Sequence, residues 1–199
     1  DKVFDDLSKE FTDGLICPVL MGSAENGNGI LRLLKALRHE TPFVQTTAKR
    51  LGVDKASSCA FVAKTFHTAH GGKLSLARVL TGTFADGTTV YGGADEERIS
   101  GVFTLQGQEP IKRGEAKAGD TVAFGRLDSV KTGETLTEEK GKAVKAETAE
   151  IASPVFGMAI AAKEKKDEVK LTAALAKIIE EDPSISLSHS QDMGEMVLW

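Results

Sequence analysis

The chain has only two cysteines, Cys17 and Cys59, in 199 residues. Two thiols make no disulfide framework, and free thiols in a reducing compartment, the cytoplasm, are the expectation. No apolar run approaches the roughly 20 residues that a membrane span needs, so no membrane partner is expected. The opening Asp1-Lys2-Val3 is charged and leads into no apolar core segment, so no secretory signal is read there. Charge of one dominant sign is lacking too: 25 Lys and Arg stand against 29 Asp and Glu, a net charge of −4. The surface as a whole is therefore no nucleic-acid magnet, and any RNA contact must come from a local basic patch. No nucleophile–base pair or metal constellation is visible, which puts an enzyme acting alone last among the function classes.

What is present is ordinary globular composition, 41% hydrophobic and 27% charged, enough for one or two domains with a sizeable core. The chain is organised around Ala60 to Leu136, a run of short strand-like segments punctuated by glycines. Ala60–Phe66 and Leu74–Leu80 are rich in β-branched, aromatic and aliphatic residues. A turn over Gly82–Gly87, strongest at Asp86-Gly87, leads to Thr88–Tyr91; after Gly92-Gly93 comes Arg98–Gln106. Gly-Asp and Gly-Glu turns at Ala118-Gly119-Asp120 and Thr132-Gly133-Glu134 precede the last two strands. Short strands at this spacing cannot bury a face alone, so they predict a closed antiparallel barrel or sandwich.

The flanks read differently. Val3, Phe4, Leu7 and Phe11 predict a short amphipathic helix over 2–11, Leu15–Met21 reads as a buried strand, and Ile30, Leu31, Leu34 and Leu37 predict a helix ending near His39. Strand, loop and helix make half of an α/β unit. Residues 43–58 read as a mixed connector and Glu138–Ser153 as a solvated linker or edge strand. Pro154–Ala161 is strand-like, Asp167 is placed to cap a helix to about Glu181 with Leu171, Leu175, Ile178 and Ile179 on one face, and Asp182-Pro183 stops it. Ile185–His189, a turn at Gln191–Gly194 and Met196–Trp199 complete a strand, helix and hairpin, the first part of a ferredoxin-like unit. The chain lacks an initial Met and ends in an apolar run, which is read as a piece of a longer protein.

Several residues have both a chemical and a plain structural reading. The loop Gly22–Gly29 invites a phosphate-binding reading, but it has no Lys-Ser/Thr, and Gly27-x-Gly29 lacks the third glycine of a dinucleotide fingerprint. His67 and His70 are expected to be exposed loop histidines, since two imidazoles fall short of a zinc site. Cys59 is expected to be a small buried residue, and the runs Asp95-Glu96-Glu97 and Glu138-Glu139 solvated charges in loops. Arg78 serves either an RNA or interdomain contact through its planar head or a barrel rim with its stem packed on the sheet. Lys112 and Arg113 form the best small basic patch, placed to touch phosphate.

Three phrases in order, Ala77-Arg78-Val79-Leu80-Thr81-Gly82-Thr83-Phe84-Ala85-Asp86-Gly87-Thr88, Ala118-Gly119-Asp120-Thr121-Val122-Ala123 and Thr132-Gly133-Glu134-Thr135-Leu136, resemble the second domain of a translational GTPase, elongation factor G in particular. Leu171-Thr172-Ala173-Ala174-Leu175 with Glu180-Glu181-Asp182-Pro183-Ser184 resembles that family's third domain. Pro18-Val19-Leu20-Met21-Gly22-Ser23-Ala24 resembles its guanine-recognition loop, with Ser23 and Ala24 as the binding pair, although Glu25 departs from the bulky or basic residue common there. The resemblance implies a mainly β chain with α+β flanks. It divides into a GTPase-domain remnant over 1–45, a translation-factor barrel of six or so strands over 46–138, a linker over 139–153, and a truncated ferredoxin-like βαββ unit over 154–199.

The family's phosphate loop, switches and Asn-Lys-x-Asp motif do not occur here, so GTP or GDP and Mg are implied for the parent protein and no cofactor for this segment. The implied role is docking on small-subunit ribosomal RNA and proteins, and coupling between domains, without catalysis. Self-association through 154–199 is a further expectation, because the implied fourth strand and second helix do not occur in this sequence. A stand-alone β-barrel binding module unrelated to translation, or a ribosome-binding paralogue outside translocation, remain the alternatives.

Overall fold

Ala60, Val62, Val79, Phe84, Val122, Phe124 and Leu136 are all fully buried, though they are spread over 76 residues of sequence between the first and the last. Their convergence is the barrel core. In the computed structural model, which describes residues 2–68, 72–92, 95–107, 109–141, 145–148, 150–190 and 195–199, these side chains come from β1 (Cys59–His67), β2 (Lys73–Thr81), β3 (Thr83–Ala85), β9 (Thr121–Gly125) and β10 (Thr135–Thr137). The remaining barrel strands are β4 (Thr89–Gly92), β5 (Asp95–Arg98), β6 (Val102–Gln106), β7 (Glu109–Arg113) and β8 (Glu115–Lys117).

The expected mainly β architecture is present, as a curled eight-stranded antiparallel sheet in the order β5-β4-β10-β1-β2-β9-β6-β7 with a separate β3–β8 ribbon. The predicted single strand over Arg98–Gln106 is two strands. Between them Gly101 takes φ +98, and the Ser100 N–H donates to the Gly125 carbonyl at 3.0 Å. That crossing carries the chain from the β4 side of the sheet to the β9 side, and the curled sheet keeps β5 and β7 as its two ends. The predicted turn over Gly82–Gly87 contains β3, whose Phe84 pairs with Ala116. Gly82 is required there: it takes φ +70, and a Cβ would clash with the Ser57 carbonyl oxygen. Pro110 sits in β7, the end strand of the sheet, where a missing N–H leaves no ladder bond unmade. The connector over 43–58 contains a helix, α3 (Val44–Arg50), whose Ala48, with Val53 after the helix, packs against Cys59 and Leu80 in a second apolar cluster. The linker's Ala146 joins that cluster and donates its N–H to Thr135 Oγ1 at 3.0 Å.

On the N-terminal side, α1 (Lys2–Thr12) and α2 (Ile30–His39) match expectation, and Ser23 and Asn28 bridge across the glycine loop. Leu15–Met21 is not a buried strand. Val19 is 86% and Met21 91% exposed. A strand needs a neighbour for its backbone groups, and no described residues pair with this segment.

At the C-terminal side, β11 (Met158–Ile160), α4 (Glu168–Glu181), β12 (Leu187–Ser190) and β13 (Glu195–Leu198) form a sheet in the order β11-β13-β12, with the helix led in by a 3-10 turn over Lys165–Asp167. First strand beside third beside second is the ferredoxin-like order. Asp167 occupies the cap position but makes no side-chain cap bond. On α4, Leu175 is buried, whereas Ile178 turns outward and is 44% exposed. The expected turn over 191–194 lies outside the described residues. No described helix is long and apolar enough to cross a membrane.

Candidate functional site

Helix α4 ends against the rule for its dipole. Its last turn carries Glu180 and Glu181 and no basic residue, although the C-terminal end of a helix disfavours negative charge. The barrel supplies the missing cations. His67 ends β1 and Lys73 begins β2, and the register pairs the two residues across the hairpin. Glu180 Oε1 accepts from Lys73 Nζ at 2.9 Å, and Glu180 Oε2 lies 2.7 Å from His67 Nε2. Glu181 Oε1 accepts the His67 backbone N–H at 2.6 Å. Lys73 Nζ donates a second bond to the Asp128 carbonyl at 2.9 Å.

This junction between barrel and third unit is dry on the barrel side. The Lys73 side chain is 5% exposed, His67 14% and Glu180 32%. A buried lysine is tolerated when paired and hydrogen-bonded, as here. Burial alone would raise the Glu180 carboxyl, but hydrogen bonds from Lys73 and His67, with their charges, outweigh it and hold the group below its ordinary value. His67 is therefore not the exposed loop histidine expected from the sequence. It is the last residue of a strand, half-buried and bonded. His70, its expected companion, lies outside the described residues.

A second cluster gathers on Asp120, the turn residue before β9. Its Oδ2 accepts from Arg113 Nη2 at 3.1 Å and from the Lys117 N–H at 2.9 Å. The Lys117 backbone bond, followed by the charge and bond of Arg113 and the charge of Arg78, lowers the Asp120 carboxyl against its own desolvation. Arg78 is exposed and donates to Thr121 Oγ1 at 3.1 Å. The structure thus brings Arg78 and Arg113 together, with Lys117 added. Lys112 faces elsewhere, because neighbouring strand residues point to opposite faces; it pairs with Asp86 at 3.3 Å.

Ser23 and Ala24 lie apart from both clusters. The Ser23 N–H donates to the Asn28 carbonyl at 2.9 Å, and Ala24 is exposed. The Ser23–Asn28 bridge closes this loop on itself. Cys59 is buried, and burial pushes its thiol up to about 11, so it is not a nucleophile at neutral pH. Residues 95–97 lie on β5 rather than in a loop, with Glu97 accepting the Ser129 N–H. Among the described residues no group of three or more His, Cys, Asp or Glu is placed to hold a metal.

Comparison with known proteins follows the same division. The model for elongation factor G domain 2 matches residues 57–139, and that for elongation factor G domain III matches residues 151–199. An elongation factor G-like protein of Synechocystis is 36% identical over 98% of this chain and 28% of its own length. The elongation factor G of Mycoplasma genitalium is 30% identical over 91% of this chain and 28% of its own length. A crystal structure of a Thermus thermophilus protein superposes with a TM-score of 0.79 at 25% identity, over 98% of this chain and 29% of that one. The chain therefore spans under a third of the length of each of these proteins.

Proposed function

The chain belongs to the elongation factor G family, and from that premise we propose that it supplies the ribosome-docking barrel and an interdomain coupling surface of a longer, ribosome-stimulated GTPase. That GTPase drives translocation of tRNA and mRNA in the cytoplasm or, as a paralogue, modifies it. GTP or GDP and Mg are held by residues outside this chain, and residues 1–45 adjoin that nucleotide domain. The barrel meets the small subunit through cationic side chains, with Arg78, Arg113 and Lys117 facing RNA phosphate and Lys112 beyond them. Backbone contacts of this kind position a protein on RNA.

The observation that carries the coupling role is the Lys73–Glu180–His67 junction. A buried lysine can leave its carboxylate only by finding another partner or hydrating. The third unit is thus held on the barrel in one arrangement or released to another, as a switching element requires. Sedimentation of the full-length protein with 70S ribosomes tests the reading. Co-sedimentation weakened by salt is expected; a protein that stays in the supernatant at low salt contradicts it.

A further inference from the structure

Arg126 is the only non-glycine residue with positive φ among the described residues, at +58. Left-handed backbone is disfavoured for a residue with a Cβ, and such strain gathers where function retains it. The strain is enforced by the neighbours. The Arg126 N–H donates to the Lys73 carbonyl at 3.3 Å, the Gly125 N–H to the Gly101 carbonyl at 3.1 Å, and Lys73 Nζ holds the Asp128 carbonyl. The segment is tied down at both ends while its side chains are left unused. Neither the Arg126 guanidinium nor the Asp128 carboxylate has a hydrogen-bond or ion-pair partner among the described residues.

Arg126 and Asp128 line an open pocket of about 500 Å³ with Arg98, Ser100 and Asp86. Arg98 spends one donor, its Nε, on the Gly87 carbonyl at 2.9 Å, which fixes the guanidinium and leaves its outer donors open. Asp86 is already matched: it accepts the Gly101 N–H at 2.8 Å and pairs with Lys112. The lining thus holds two guanidinia against one uncompensated carboxylate, and the pocket favours an anion. Planar guanidinium forks fit phosphate oxygens two at a time. The Asp128 carboxylate can only accept, so the ligand must also bring a donor.

We propose that the pocket between Arg98, Arg126 and Asp128 binds a phosphate group whose neighbouring sugar carries a free hydroxyl, that is, a ribose phosphate. The guanidinia take the phosphate and Asp128 accepts the hydroxyl. The site lies apart from the Asp120 cluster, and the assignment does not rest on the ribosomal reading.

The test is a titration of the 199-residue chain, followed through the arginine Nε–H signals in NMR spectra, with adenosine 5′-monophosphate, its 2′,3′-dideoxy analogue and a short single-stranded RNA. Saturable binding of the monophosphate or the RNA is expected, on the order of 1 mM or tighter. Tenfold tighter binding of the RNA identifies a nucleic-acid backbone as the source; equal or weaker binding identifies a free nucleotide. Arg126→Gly and Arg98→Gln each weaken binding at least tenfold. Arg126→Gly does so without lowering Tm, because glycine adopts this backbone freely. No saturation by either ligand, or full affinity in Arg126→Gly and Arg98→Gln, overturns the site. Equal affinity for the dideoxy analogue overturns the role of Asp128.

Discussion

Lys73 Nζ and Glu180 Oε1 stand 2.9 Å apart although 107 residues separate them in the chain, and this pair fastens the third unit to the barrel. The two partners are unequal. Lys73 is 5% exposed and Glu180 32%, so an orphaned lysine cannot hydrate where it stands, whereas an orphaned glutamate can.

That inequality predicts asymmetric mutants. Glu180→Ala strands a buried ammonium and is expected to cost about 1–2 kcal/mol, below the usual figure for a buried pair because Glu180 is partly solvated. Lys73→Met removes the buried charge with its partner's claim on it and is expected to cost less than about 1 kcal/mol. Urea denaturation of both variants checks the order; a costlier Lys73→Met reverses the account of which side is dry.

The junction is also acid-sensitive in a defined direction. The folded Glu180 carboxyl titrates below its ordinary 4.5. A group depressed by folding contributes in full above its unfolded value and loses that contribution as pH falls through the folded one. The junction therefore holds above about pH 4.5 and weakens below it. Hydrogen exchange in α4 should accelerate on acidification before exchange in β1 and β2 does. Simultaneous loss in both would mean that the junction is not a separate step.

The barrel was legible because its turns are written in glycine and aspartate at regular spacing, as at Asp86-Gly87 and Gly119-Asp120. The short ribbon of β3 and β8 was not, since three residues each give no period to read. Leu15–Met21 has the composition of a buried strand, and composition says nothing of whether a partner strand is present. The junction was hidden by distance in sequence: His67, Lys73 and Glu180 share no local pattern. One signal was available, the pair of acids in the last turn of α4 where cations are favoured. Arg126 had no signal at all, because its strain arises from ladder bonds to residues 101 and 73.

Gly82 offers a test of how tightly the chain packs where it enters the barrel. Its φ is +70, and a Cβ would clash with the Ser57 carbonyl oxygen. Gly82→Ala is expected to cost at least about 2 kcal/mol, combining the left-handed penalty with a backbone shift. A Tm lowered by less than about 2 °C would show that the loop moves aside without cost.

The edge of the third unit is predicted to self-associate. β11 has a neighbour on one side only among the described residues; its Met158 is 59% exposed, and Val155 and Phe156 just before it are 97% and 72% exposed. An apolar open edge is a template for a second copy. Light scattering should show mass rising toward a dimer with concentration, and Phe156→Lys should suppress it; a monomer at every concentration contradicts this.

The central claim is that the junction couples the state of the nucleotide domain to the ribosome-docked barrel. Ribosome-stimulated GTP hydrolysis by the full-length protein, with and without Glu180→Ala, tests it most directly. The account predicts that the stimulated rate falls about tenfold, the effect of roughly 1.4 kcal/mol of coupling, while co-sedimentation with ribosomes is retained. A stimulated rate unchanged by breaking the junction would contradict it.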